Sequence, residues 1–155
     1  MAAPWTHNDK NEMKDPINLE FRNCDLPTIR QVLQSDGWDS PLSFAGMPIA
    51  EDQYLHISNK KAKQDDQVCR PPRRITRRFH VRFWQVQGRV VASAHEDIFT
   101  PLGGHAPLSF EKGEKEVAET FVRASGWSVE FDGEDLKNFL QKPANNGFAT
   151  VIRRL

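Results

Sequence analysis

Residues 79–96 read FHVRFWQV, then Gln87-Gly88, then RVVASAHE, and no other stretch constrains the fold as much. Two runs rich in Val, Phe, Trp and Ala flank a two-residue X-Gly loop, which is a strong short-range signal for a β-hairpin. A loop of that length also sets the register. Val86 pairs with Arg89, so Trp84 faces Val91, Arg82 faces Ser93, His80 faces His95 and Arg78 faces Asp97. Strand alternation puts Phe79, Val81, Phe83, Val90, Ala92 and Ala94 on one side, wholly apolar and therefore the core side. The other side carries His80, Arg82, Trp84, Val91, Ser93, His95 and Asp97.

The remaining elements are read around that hairpin. Ile17 to Phe21 alternates as a half-buried strand does. Asp25 ahead of Leu26-Pro27 opens a helix whose Leu26, Ile29, Val32 and Leu33 share one face. A second helix is expected over Glu114–Ser125, and a third, shorter one over Glu134–Leu140, opened by Asp132. The first two end in Gly37-Trp38 and Gly126-Trp127, where glycine takes the left-handed turn and tryptophan packs the start of the next strand. Gln53–Ile57 reads as a short strand, Asn59–Asp66 as a solvated loop and Phe148–Arg153 as a last strand. Residues 1–14 are polar and unpatterned, as a disordered tail is. The expectation is one α+β domain over residues 15–155. Its sheet is mostly antiparallel with a central β-hairpin, and two to three helices pack on one face.

Composition narrows the class. A chain of 155 residues with ten phenylalanines buries a core without disulfide staples. Cys24 and Cys69 have no CxxC spacing and read as free thiols. There is no apolar leader and no run approaching about 18 apolar residues, so the expected protein is cytoplasmic with no membrane span.

The formal net charge is zero, yet residues 70–90 hold seven arginines and no acid. Arginine presents a planar fork suited to phosphate and carboxylate, so the run suggests an anionic partner. Nucleic acid fits poorly: the sequence pI is near 7.0, and Phe79 and Phe83, two of the aromatics among the arginines, point to the core. An acidic protein partner is the other reading of this run.

Three readings of the polar face follow. In the first, a phosphate-bearing or carboxylate ligand sits on His80, Arg82, Trp84, Ser93, His95 and Asp97, with Arg74, Arg77 and Arg78 at the rim. His105, following Gly103-Gly104, is placed to fold back over the set. In the second, His80 and His95, whose Cβ atoms lie about 5 Å apart when directly opposed, bind a divalent transition metal. Asp97 or His105 then completes the set, and the metal activates water for hydrolysis. In the third, the face is simply the solvated side of an antiparallel sheet. A Ser93-His95-Asp97 hydrolase is a poorer reading, because consecutive same-face positions offer no nucleophile elbow or oxyanion hole.

The sequence DPINLEF, a helix ending in GW, then RFHVRFW, GRVVASAHED and a Glu-rich helix resemble the LssY C-terminal domain family. The resemblance covers about Asp15 to Trp127 and is most specific over Arg78 to Asp97. It implies that His80, Arg82, Trp84 and Asp97 are family-type positions. Members often carry a histidine pair where this chain reads HAPLSFEKG with His105 alone. Family domains are often joined to membrane-embedded modules, including phosphatidic-acid-phosphatase-like ones. The resemblance therefore implies a site on the hairpin and leans toward a phosphate-bearing ligand.

Overall fold

A computed structural model describes residues 2–40, 51–74, 77–99, 105–138 and 144–155. In chain order, β1 (Ala2–His7), β2 (Met13–Pro16) and β3 (Leu19–Arg22) precede helix α1 (Leu26–Ser35). Then come β4 (Tyr54–Ile57), β5 (Lys60–Lys63), β6 (Asp66–Arg74), β7 (Arg77–Val86), β8 (Arg89–Phe99) and β9 (His105–Ser109). Helix α2 (Phe110–Arg123), β10 (Trp127–Asp135) and β11 (Phe148–Arg154) complete the fold.

The strands form two sheets. The larger runs β10-β11-β3-β8-β7-β6, with β9 also paired to β8, and the smaller runs β2-β1-β4-β5. Among the described residues, only β11 and β3 pair in parallel. One face of the larger sheet buries Leu19, Phe21, Val81, Phe83, Val90, Ala92 and Ile152 against Ile29 and Leu33 of α1 and Val117 and Phe121 of α2. Its other face sets Trp84, Val86 and Val91 against Ile17 and Leu55, and the Trp84 indole N–H donates to the Ala62 carbonyl of β5 at 3.1 Å. The result is three layers: helices, large sheet, small sheet.

Local chemistry accounts for the helix ends. Asp25 caps α1 by accepting from the Thr28 amide at 3.0 Å and its hydroxyl at 2.6 Å. Gly37 and Gly126 sit at φ +94° and +87°, the left-handed region that glycine enters freely. Asp36, at the end of α1, accepts from Arg70 of β6 at 2.5 Å and from Arg123 of α2 at 2.6 Å, so Arg70 clamps the helices to the sheet. Cys24 and Cys69 are free thiols.

Four expectations are corrected. Residues 1–14 are no disordered tail, since Ala2–His7 and Met13–Pro16 are strands of the small sheet. Their pattern hid this because the inward positions include Thr6 and Asp15, which meet Gln53 and Arg82. Asn59–Asp66 is not a loop: Lys60–Lys63 is an edge strand, and lysine-rich edges of this kind resist further pairing while giving no apolar alternation. Glu134 and Asp135 continue β10 against β11 and so belong to no third helix, and Phe139 and Leu140 lie outside the described residues. Finally, α2 starts at Phe110, capped by Ser109, four residues before the expected Glu114.

Gly113 obscured that early start, since glycine inside a helix costs about 1 kcal/mol relative to alanine. Its use here is steric. A Cβ at Gly113 would overlap the backbone Cα and N of His95, so only glycine lets α2 lie directly on β8. Gly113→Ala is expected to lower stability by roughly 1–3 kcal/mol despite its better helix propensity. Urea unfolding checks this, and a stabilised variant would show that α2 does not press on β8.

Candidate functional site

The hairpin register is the one a two-residue loop dictates. β7 and β8 pair Val86 with Arg89, Trp84 with Val91, Arg82 with Ser93, His80 with His95 and Arg78 with Asp97. β6 adds Gln67 opposite Arg82 and Cys69 opposite His80. Directly opposed residues share a face, so Gln67 and Cys69 join the polar set.

That face is not solvated. His80 and Asp97 are 0% exposed, Arg78 1%, and Arg82 and His95 3% each. The wet-face reading is therefore overturned; at Arg82, Trp84 and Ser93 the cover comes from Asp15, Leu55 and Pro16. Arg78 also moves from the expected rim to the centre. Its Nε donates to Asp97 Oδ2 at 3.1 Å, with both side chains fully buried. The other oxygen, Asp97 Oδ1, lies 2.6 Å from His95 Nε2. One carboxylate thus holds both a guanidinium and an imidazole.

His80 is fixed separately. Its Nε2 lies 2.8 Å from Gln67 Oε1, an acceptor only, so Nε2 carries the proton and the lone pair falls on Nδ1. His95 Nδ1 is buried and has no hydrogen-bond partner. The two rings meet edge to face with centroids 5.4 Å apart.

Arg82 ties the layers together. Its Nη1 lies 3.6 Å from Asp15 Oδ2 in β2, and its Nη2 donates to the Glu51 carbonyl at 3.0 Å. Asp15 is held in turn by the Gln53 amide at 2.8 Å. Burial lowers the Arg82 pKa from its ordinary value, while Asp15 and Asp97 pull it back up. Arg82 Nε, also buried, has no partner. Among the described residues of this face, the guanidiniums of Arg78 and Arg82 stand against the carboxylates of Asp97 and Asp15.

The remaining expected site residues divide clearly. Trp84 packs in the apolar cluster between the sheets. The Ser93 hydroxyl donates to the Pro16 carbonyl at 2.7 Å and fastens β2 to β8. Arg77 is half-buried. The backbone of His105 lies in β9 opposite Phe99, whereas its side chain, like that of Arg74, is outside the described residues. Gly103 and Gly104 are also outside them.

Sequence reasoning missed Asp15, Gln67 and Cys69. Asp15 belongs to the DPINLEF stretch, but nothing in that stretch names Arg82 as its partner. Gln67 and Cys69 needed the pairing of β6, an edge strand interrupted by Pro71 and Pro72. Burial pushes the Cys69 thiol up to about 12, so it stays protonated and inert at neutral pH.

Chemically, the donor set is compact. His80, His95 and Asp97 each offer a ligand atom, and these lie within 4.8 Å of one another. Donors around one ion, at bond lengths of about 2.0–2.2 Å, are spaced about 3–4 Å apart, so side-chain shifts on the order of an ångström close the set. Two histidines and one carboxylate suit zinc or iron and leave coordination positions open. No protein-family model, no curated protein and no solved structure matches the chain.

Proposed function

We propose that this chain is a metal-binding domain whose ion sits between the two sheets on His80, His95 and Asp97. The observation that carries the reading is the convergence of three buried donors within 4.8 Å. Gln67 supports it as the group that orients His80, in the way outer partners orient metal-bound histidines. Three protein ligands leave a position for water or substrate, and zinc in such a set lowers the pKa of bound water to about 7. Hydrolysis of an anionic ester, such as a phosphate ester, is the reaction to assay. Arg82 Nε, buried without a partner next along the same face, would be the donor available to an anionic oxygen at such a site. An anion-binding role without metal draws less support, because Asp97 and Asp15 already neutralise Arg78 and Arg82. Membership of the LssY C-terminal domain family is proposed on the quoted motifs alone.

Chelator-stripped protein titrated with Zn2+ or Co2+ tests the reading. One equivalent is expected to bind, with Co2+ giving the visible absorption of a low-symmetry site. His95→Gln keeps the volume but loses the ligand, and should weaken binding roughly 100-fold or more while the far-UV spectrum is unchanged. Wild-type protein that takes up no stoichiometric Zn2+, Co2+ or Fe2+ would sink the proposal.

A further inference from the structure

The other side of the large sheet carries a second convergence of carboxylates. Ligand atoms of Glu111, Glu114 and Asp132 also lie within 4.8 Å of one another. Glu111 and Glu114 come from the first two turns of α2, and Asp132 from β10. The register between β10 and β11 slips between Glu130 and Glu134, and the backbone of Asp132 takes φ +52° within that slip. The three side chains line one cavity of about 300 Å³ together with Lys112, Lys115 and Phe131.

Two features separate this group from an ordinary acidic patch. Each carboxylate has one oxygen bound by the segment leading into β11 or by β11 itself. The Asn146 amide N–H donates to Glu111 Oε1 at 3.0 Å, and its side-chain NH2 to Asp132 Oδ1 at 3.1 Å. The Thr150 hydroxyl donates to Glu114 Oε2 at 2.6 Å. Each carboxylate therefore keeps its second oxygen in a fixed orientation, which is how outer partners prepare metal ligands. The second feature is Glu114 itself. It is only 4% exposed, and its Oε1 is buried with no hydrogen-bond partner. A buried carboxylate oxygen without a donor is costly, and a cation in the cavity would satisfy it.

We propose that Glu111, Glu114 and Asp132 bind a hard divalent cation of the Ca2+ or Mg2+ class. Three oxygen donors and no imidazole or thiolate suit that class. Water fills the remaining coordination positions, since the cavity opens toward solvent beside the half-buried Glu111 and the exposed Asp132. The bound ion cross-links the start of α2 to β10. Through the carboxylates' other oxygens it also braces Asn146 and Thr150.

The test is calorimetric titration of chelator-stripped full-length protein with Ca2+, Mg2+ and Mn2+ up to millimolar concentration, with thermal unfolding alongside. One equivalent is expected to bind and to raise the unfolding temperature. Asp132→Asn lies at the surface and leaves the fold intact, and Glu111→Gln is a second, independent variant. Each should weaken binding roughly tenfold or more. His95→Gln should leave this affinity unchanged, so the hard-cation site stands or falls separately from the His80–His95–Asp97 centre. Absence of binding to all three cations overturns the proposal, as does an Asp132→Asn protein that binds as tightly as the wild type.

Discussion

Asp97→Ala is expected to remove a large share of the stability of this protein, about 3–5 kcal/mol against a usual total of about 5–15 kcal/mol for a domain. The reason is what the substitution leaves behind. Arg78 and Asp97 are both fully buried, and Asp97 also holds His95 at 2.6 Å. Their mutual attraction does little more than offset the loss of hydration, so the intact pair is not itself a large source of stability. Removing the carboxylate takes a buried counter-charge away from the guanidinium, and that is what costs so much. Asp97→Asn, which keeps an acceptor, should lie between the wild type and Asp97→Ala. Arg78→Met combined with Asp97→Leu should recover most of the loss, because an apolar pair of similar volume needs no hydration. Urea unfolding of the single and double variants measures the coupling. A loss under about 1 kcal/mol for Asp97→Ala is the range of solvated pairs, and would show that water reaches Arg78.

The same residues show how far the sequence carries. Register follows from loop length, so the pairing of His80 with His95 and of Arg78 with Asp97 was legible from Gln87-Gly88. The capped start of α1 and the Gly-Trp corners were legible too, since they rest on local backbone chemistry. Exposure was not. Whether one face of a hairpin meets water depends on what covers it, and here the cover is built from segments with little apolar pattern. β1 and β2 point Thr6 and Asp15 inward because the groups they meet, Gln53 and Arg82, are polar. β5 is an exposed lysine-rich edge. A polar interior therefore conceals its own covering strands from any reading based on hydrophobic periodicity. The acidic group on α2 was hidden for another reason: Glu111, Glu114 and Asp132 meet only when the β10–β11 slip aims Asp132 at the helix.

Glu114→Gln is expected to stabilise the protein at pH 8 and to have little effect near pH 4. Burial pushes the Glu114 carboxyl up from the usual 4.5 to about 8, with Glu111 and Asp132 adding to the rise and the Thr150 hydrogen bond opposing it. The native state therefore keeps a proton that the unfolded chain releases above about pH 4.5. Stability from this group is complete below that value and is lost as pH climbs toward 8. At about 1.4 kcal/mol per unit of pKa difference, the loss by pH 8 is on the order of several kcal/mol. Glutamine cannot ionise and keeps a carbonyl to accept from Thr150, so the variant should hold its stability across the window. Thermal unfolding at several pH values in the presence of chelator reads this directly. A wild-type protein equally stable at pH 5 and pH 8, with Glu114→Gln unchanged beside it, would mean that Glu114 ionises as freely as an exposed carboxylate. Adding Ca2+ at pH 8 should reverse the order, since the cation repays the wild type for the ionised carboxylate and gives glutamine almost nothing.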